Sequence, residues 1–201
     1  MPMITQFPEL PVSRSGFQIM TATELLFSPY NKVEEVWEEP GDKWRCTLAF
    51  NFLTREEFRV LDAYLASLRG HVGVTMIRDT AHENALLNSS SLACDQDNAY
   101  GNALPINGAP VNALFAKAGD RFQIGNQLLK LTEDATADAT GRATLRVQPE
   151  IRKPIDFGEP LITTNPRGAF RIENPNSLPT WAGNKKIVRG IQLEFIEALN
   201  V

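Results

Sequence analysis

The chain has 201 residues, of which 43% are hydrophobic and 22% are charged, and its formal net charge is −4. This length and composition exclude a disordered or fibrous chain. A chain of 201 residues with this hydrophobic content can bury a core without disulfides or metal ions. An acidic chain with dispersed Lys and Arg lacks the clustered positive charge that nucleic-acid binding needs. We therefore expect no sequence-specific nucleic acid as a partner.

The environment that the sequence predicts is a reducing one. The first 20 residues lack the basic and then apolar order of a secretory leader, and no segment approaches the roughly 20 apolar residues of a membrane helix. Cys46 falls within a strand pattern, and nothing places Cys94 in a disulfide framework. We expect two free thiols in a protein made in the cytosol, with no membrane partner.

A strand that runs directly into a helix is the first strong pattern. Thr54 and Glu57 have the spacing of a capping box, so a helix is predicted over 54–69, and Gly70 is placed where a left-handed residue would end it. The preceding strand is predicted from apolar side chains at every second residue, namely Trp44, Cys46, Leu48 and Phe50.

Two further strands are predicted to share a sheet with this one. Val72, Val74 and Met76 alternate directly after the helix, and a strand–helix–strand order implies a helix laid across a sheet. The segment 185–199 carries the longest strand pattern of the chain. We expect it to pair with the sheet around Trp44.

The middle of the chain, from about residue 85, is rich in turn-forming residues and short strand patterns. Closely spaced strands of this kind are typical of a small barrel or sandwich. We therefore predict one domain formed by 1–84 and 176–201, with an inserted domain formed by 85–175. The predicted strands of the insert are 121–124, 128–131, 142–147, 160–163 and 168–172, with a Gly125-Asn126 turn between the first two.

The sequence shows no recognisable catalytic, cofactor or metal site. His71 and His82 lack a nucleophile nearby in a known motif and are predicted to be turn residues. Asp95-Gln96-Asp97-Asn98 begins like a calcium loop, but its closing position is Ile106, which has no oxygen ligand, so a hydrogen-bonded turn is predicted. No residue is assigned as catalytic, cofactor-binding or metal-binding, the ligand-binding residues stay unassigned, and we predict that the chain is not an enzyme.

Adjacent carboxylates do not form an acid–base pair in this sequence. Glu34-Glu35 and Glu38-Glu39 would point to opposite faces of an extended chain, so they are interpreted as a charged, solvated edge. Gly119 and Gly125 are too isolated to form a phosphate-binding loop.

The tryptophans leave one alternative function open. Trp37 and Trp181, flanked by Glu and Pro, are expected to be exposed, whereas Trp44 is expected in the core. Exposed flat rings are the platforms of carbohydrate-binding β modules. A carbohydrate-binding module is therefore the alternative reading of this chain.

Two parts of the sequence resemble parts of phage tail-tip proteins. The first resembles the N-terminal domain of siphophage distal tail proteins, through Pro40-Gly41-Asp42-Lys43-Trp44, Leu53-Thr54-Arg55-Glu56-Glu57 and Leu68-Arg69-Gly70. The second is similar to the small oligonucleotide/oligosaccharide-binding (OB) type barrel inserted into many such proteins, through 117–125 and 143–152.

The resemblance implies a fold, a function and partners. The fold would be mainly β with one helix (α+β), a ring-forming β-sandwich domain with an inserted OB-like β-barrel. The function would be that of a structural virion protein of a long non-contractile tail, forming a homohexameric ring between the tail tube protein and the tail-tip hub protein. The insert would be either a docking platform for tail fibres or a weak carbohydrate binder. No cofactor would be needed, and assembly would take place in the host bacterial cytoplasm. The extended edges 33–36 and 185–195 would offer unpaired backbone groups to neighbouring copies.

Overall fold

The computed structural model describes residues 4–27, 29–30, 32–38, 41–180 and 187–199. These residues form a mainly β structure with a single α-helix, which confirms the predicted α+β class. The helix α1 is Arg55–Leu68. The strands are β1 (Ile4–Gln6), β2 (Arg14–Met20), β3 (Thr23–Phe27), β4 (Glu34–Glu38), β5 (Lys43–Thr54), β6 (Val74–Arg78), β7 (Ala93–Cys94), β8 (Ala99–Asn107), β9 (Leu114–Ala116), β10 (Arg121–Ile124), β11 (Gln127–Leu131), β12 (Ala135–Thr136), β13 (Ala143–Ile155), β14 (Arg167–Ile172) and β15 (Ile187–Glu197).

A six-stranded sheet, in the order β1-β6-β14-β15-β5-β2, forms one half of the molecule. The predicted alternation along β5 is confirmed, because Trp44, Cys46, Leu48 and Phe50 are all buried on its inner side. The predicted pairing of the last strand is also confirmed, since β15 runs antiparallel to β5 from Ile187 to Ile196. Residues 185 and 186 of that prediction lie outside the described residues.

The helix crosses the inner side of this sheet. Its N-terminus has the predicted capping box, in which Thr54 and Glu57 each bind the backbone N–H of the other. The left-handed backbone begins one residue earlier than predicted, at Arg69, and continues through Gly70. Its inner face buries Phe58, Leu61, Leu65 and Leu68 against the sheet, in one core with Trp44 and Phe195.

The strand after the helix begins two residues later than predicted. The N–H of Gly73 donates to the carbonyl of Leu68 at 2.7 Å, so the chain is still turning there. Val72 is consequently 60% exposed, and β6 begins at Val74.

A five-stranded sheet, in the order β10-β11-β13-β8-β7, forms the other half. The predicted hairpin through Gly125-Asn126 is confirmed, because Ile124 pairs with Gln127. The strand predicted over 160–163 is instead a connecting segment. The carbonyl of Glu159 accepts from Cys94 on one edge strand, and Ile162 exchanges two hydrogen bonds with Gln123 on the other, so this segment joins the two edges of the sheet.

The predicted position of 168–172 within the insert needs correction. This segment is a strand, but β14 pairs with β6 and β15 inside the six-stranded sheet. The physical reason is burial, because Phe170 and Ile172 belong to the same core as the helix. The five-stranded sheet and its connecting segment therefore end near residue 162 rather than at 175.

Side chains of both sheets meet at a common junction. Trp44 donates its indole N–H to the carbonyl of Leu128 at 2.8 Å, and the Leu128 side chain packs in the core of the six-stranded sheet. The Arg121 guanidinium lies over the rings of Trp44 and Phe17, 5.0 and 5.7 Å from their centroids, and forms an ion pair with Asp79. The two sheets thus share buried contacts.

Candidate assembly interface

A two-stranded hairpin formed by β3 and β4, called the arm below, forms a separate small sheet. Thr23 lies opposite Glu38 at its root, and Phe27 lies opposite Glu34 near its tip. Every side chain that the structure describes on these two strands is exposed. The arm therefore packs its side chains against neither of the two large sheets.

The first face of the arm is mostly apolar. Residues directly opposite each other in an antiparallel pair share a face, which places Leu25, Phe27 and Val36 together with Glu34. The three apolar side chains are 60, 57 and 67% exposed. This face is an apolar strip with a carboxylate near its tip.

The second face of the arm is also partly apolar. Leu26 and Trp37 lie on it, 41 and 54% exposed, with the carboxylates Glu24 and Glu35 beside them. A monomeric protein rarely exposes contiguous apolar surface on both faces of one element. The arm thus has the composition of an element that is covered by a partner.

The root of the arm is held by one carboxylate. Asp42 accepts the backbone N–H of Ala22 at 2.9 Å, where the chain passes from β2 into the arm. Its other oxygen accepts from the amide side chain of Gln148 on β13, also at 2.9 Å. Asp42 therefore ties the start of the arm to the five-stranded sheet.

The six-stranded sheet has one long open edge, and it adjoins the arm. β2 pairs with β5 on one side over seven residues and has no strand among the described residues on its other side. Its successive side chains alternate between half-buried and exposed. An edge of this length offers backbone donors and acceptors to another chain. The opposite edge, β1, has only three residues.

A buried polar cluster fixes the start of the five-stranded sheet. Asp120 is 2% exposed, and its two oxygens accept backbone N–H groups from Ala85, Leu86, Leu87 and Lys117. Burial raises the pKa of Asp120, but these four donors outweigh it and hold the pKa below its ordinary value. The carboxylate form is therefore the form that the fold stabilises.

We expect Asp120→Asn to lower the free energy of unfolding at pH 7 by about 2 kcal/mol, because an amide nitrogen would face backbone donors. Because the folded pKa is depressed, the contribution of Asp120 is present above its unfolded pKa, and it is lost as the pH falls through the folded pKa. Urea unfolding at pH 7 and near pH 3 should show the difference from wild type shrinking in acid. Asp62→Asn, on the exposed side of the helix, is the control. An equal difference at both pH values would contradict this account.

Two grooves flank Arg152 where the sheets meet, with volumes of about 670 and 710 Å³. Arg152 forms an ion pair at 3.2 Å with Glu197, whose other oxygen accepts the backbone N–H of Trp44. Burial raises the pKa of Glu197, and these two partners offset part of that effect. The grooves are lined by carboxylates as well as by this guanidinium, so they present no surface of a single charge.

The structure places the candidate catalytic and metal residues apart from one another. His71 lies in the turn after the helix, and burial lowers the pKa of His82, whose ring contacts Asn84. Asp95 accepts from Asn107 and pairs with Arg142, as a residue of a hydrogen-bonded turn would. Within the described residues, no three His, Cys, Asp or Glu side chains are grouped as metal ligands would be.

The remaining predicted residues also have clear positions. Cys46 and Cys94 are free, buried thiols, as predicted. Trp44 is buried in the core and Trp37 is exposed on the arm, as predicted. Trp181 and Glu39 lie outside the described residues.

Sequence reasoning missed half of the arm and the junction between the sheets. The edge 33–36 was recognised, but its partner β3 was not, because Thr23–Phe27 has no alternation to mark a buried face. The sequence does contain a signal for this hairpin, since the apolar run Leu25–Phe27 is followed closely by a second short apolar run, Val36–Trp37. No local sequence pattern predicts the ion pair of Arg121 with Asp79, because 41 residues lie between the two in sequence.

No protein-family model matches this chain, and a search of curated proteins finds no significant match. Among the described residues, no helix is long and apolar enough to cross a membrane.

Proposed function

We propose that this chain is a structural virion protein of a long non-contractile phage tail, which forms a ring between the tail tube and the tail-tip hub. The observation that carries the proposal is the arm, an exposed hairpin with apolar side chains on both faces beside an open sheet edge. The protein would act through contacts with its own copies, with the tube protein and with the hub protein, rather than by catalysis.

The energetics of the arm favour a partner. An isolated two-stranded hairpin is at best marginally stable in water, because it has no third strand or core to pack on. Its five exposed apolar side chains, each about half exposed, would together contribute on the order of 5 kcal/mol if a neighbour buried them. That gain is large enough to offset much of the cost of association.

The finer description of the fold belongs to the same proposal. The six-stranded sheet with its helix would be the ring-forming β-sandwich domain. The five-stranded sheet would be an inserted barrel of the OB type, and the connecting segment 159–162, which joins its two edges, supports this. The barrel would project from the ring and carry the fibre contacts.

The mass of the native protein in solution tests the proposal. Light scattering after size exclusion, over a range of concentrations, should reveal a species of about six copies, and negative-stain images should reveal rings with a central hole. A mass of one copy at every concentration, both alone and with its tube protein, would overturn the proposal.

A carbohydrate-binding module is the alternative, and exposed Trp37 is the observation that favours it. It predicts a monomer that binds a saccharide and loses that affinity on Trp37→Ala. The single indole of Trp37 offers a saccharide only a small flat surface. The apolar strip on the other face of the arm offers a protein partner a larger one, so we rank this function second.

A further inference from the structure

The basis for the inference is a second exposed surface, which lies at the end of the six-stranded sheet opposite the arm. It consists of Arg14 on β2, Phe52 on β5, and Ile187 and Arg189 on β15, and we call it the receiving patch. Phe52 is 57% exposed and Ile187 is 42% exposed, and both arginines are exposed. The patch is therefore apolar and positively charged.

The backbone explains why these side chains face outward. Leu53 and Val188 pair across the strands and point into the core, so Phe52 and Arg189, the next pair along, point away from it. Gly190 lies next to Arg189 on β15, and its φ of +71° is a conformation that a residue with a side chain rarely adopts. The outward direction of the patch is thus fixed by the strand register.

Arg14 reaches the same end of the sheet from the neighbouring strand. It lies opposite Ala49, three residues before Phe52, on the exposed side of β2. In the part of the chain that the structure describes, neither Arg14 nor Arg189 has an ion-pair partner, and neither does Glu34 on the arm. These charges remain available to a partner molecule.

We propose that the first face of the arm of one copy docks on the receiving patch of the next copy. The two surfaces are complementary: Leu25, Phe27 and Val36 would pack on Phe52 and Ile187. Glu34 would meet Arg189, with Arg14 at the margin. The proposal rests on the proposed ring function and names the two surfaces that would build it.

The distance between the surfaces excludes contact within one copy. The arm joins β5 at Lys43, and Phe52 of the patch lies nine residues further along the same strand, so the strand separates them by roughly 30 Å. A strand of five residues spans only about 17 Å. The arm therefore needs a second copy to occupy a patch of this kind.

The two surfaces differ, so the interface is heterologous. A heterologous interface closes into a ring where its repeated rotation completes a full turn and forms an open filament otherwise, whereas a self-complementary one stops at a dimer. An arm at one end and a patch at the other end of the same sheet thus satisfy one condition for a ring built from identical copies, that of two different surfaces.

Charge exchange between the two surfaces tests the inference. We expect Glu34→Arg and Arg189→Glu each to raise the concentration needed for half-assembly by at least tenfold, measured by light scattering of a dilution series. The double variant should recover assembly, and so should an equimolar mixture of the two single variants, because each mutant surface then meets its complement. All these side chains are exposed, so the thermal unfolding midpoint should not change.

The controls are Glu133→Arg, in the bend after β11, and Arg146→Glu, on β13, which change exposed charges away from both surfaces and should leave assembly unchanged. A wild type that forms rings, with both single variants forming them equally well, would overturn the inference and leave the proposed function standing. Single variants that lose assembly without recovery in the mixture would also overturn the pairing of these two surfaces. A wild type that never assembles would overturn the proposed function and the inference with it.

Discussion

Serine substitution of the apolar strip on the arm, at Leu25, Phe27 and Val36, is expected to leave a folded monomer at concentrations where wild type forms rings. The three side chains are more than half exposed, so their loss costs the folded monomer little. Each would lose about 1 kcal/mol of burial in the assembled ring, or about 3 kcal/mol in total. This corresponds to an increase of about a hundredfold in the dissociation constant between neighbours, which light scattering or mass photometry would measure.

The matched control replaces three apolar side chains that are equally exposed but lie elsewhere. Val60 on the helix, with Val111 and Phe157 on loops of the other half, are 49, 58 and 63% exposed. Serine at these positions removes a similar apolar area from the surface. If both triple variants assemble as wild type does, or if both fail equally, the arm has no special role in assembly.

Trp44→Ala is expected to lower the free energy of unfolding by about 4 kcal/mol, measured by equilibrium urea unfolding. The indole is 1% exposed and sits at the junction of the two sheets, so its removal leaves a cavity in the core. It also leaves the buried carbonyl of Leu128 without its donor, and it removes one of the two rings beneath the Arg121 guanidinium.

Trp44→Phe separates these contributions. Phenylalanine fills most of the volume but lacks the N–H, so we expect a loss of about 1–2 kcal/mol, mostly from the unpaired carbonyl of Leu128. Trp37→Phe is the control, because that ring is exposed on the arm and should change stability by less than about 0.5 kcal/mol. A Trp44→Phe variant as unstable as Trp44→Ala would contradict the cavity account.

The elements that the sequence predicted well are those in which one local rule determines the structure. The alternation from Trp44 to Phe50 requires only a strand with one buried side. The helix is marked by Thr54 and Glu57, whose side chains bind backbone groups three residues away. Both features are encoded within a few residues of sequence, and the structure confirms both.

The sheet to which the segment Arg167–Ile172 belongs could not be predicted in this way. The local pattern of Arg167–Ile172 is that of a short strand, as in the preceding strands of the five-stranded sheet. Only its pairing with β6 and β15 assigns this segment to the six-stranded sheet. The junction depends on contacts of the same long-range kind. The arm was missed in part for the opposite reason, because neither of its faces is buried and its strands therefore show no inward period.

The pairing of β5 with β15 also sets the order of events during synthesis. About 150 residues separate Cys46 from its partner Phe195, so the last strand must leave the ribosome before the six-stranded sheet can close. The hairpins of the five-stranded sheet, being local, can form earlier. Because β15 carries Ile187 and Arg189, a nascent chain would display its arm long before its own receiving patch was complete. Growing chains on one polysome would then be protected from premature association with one another.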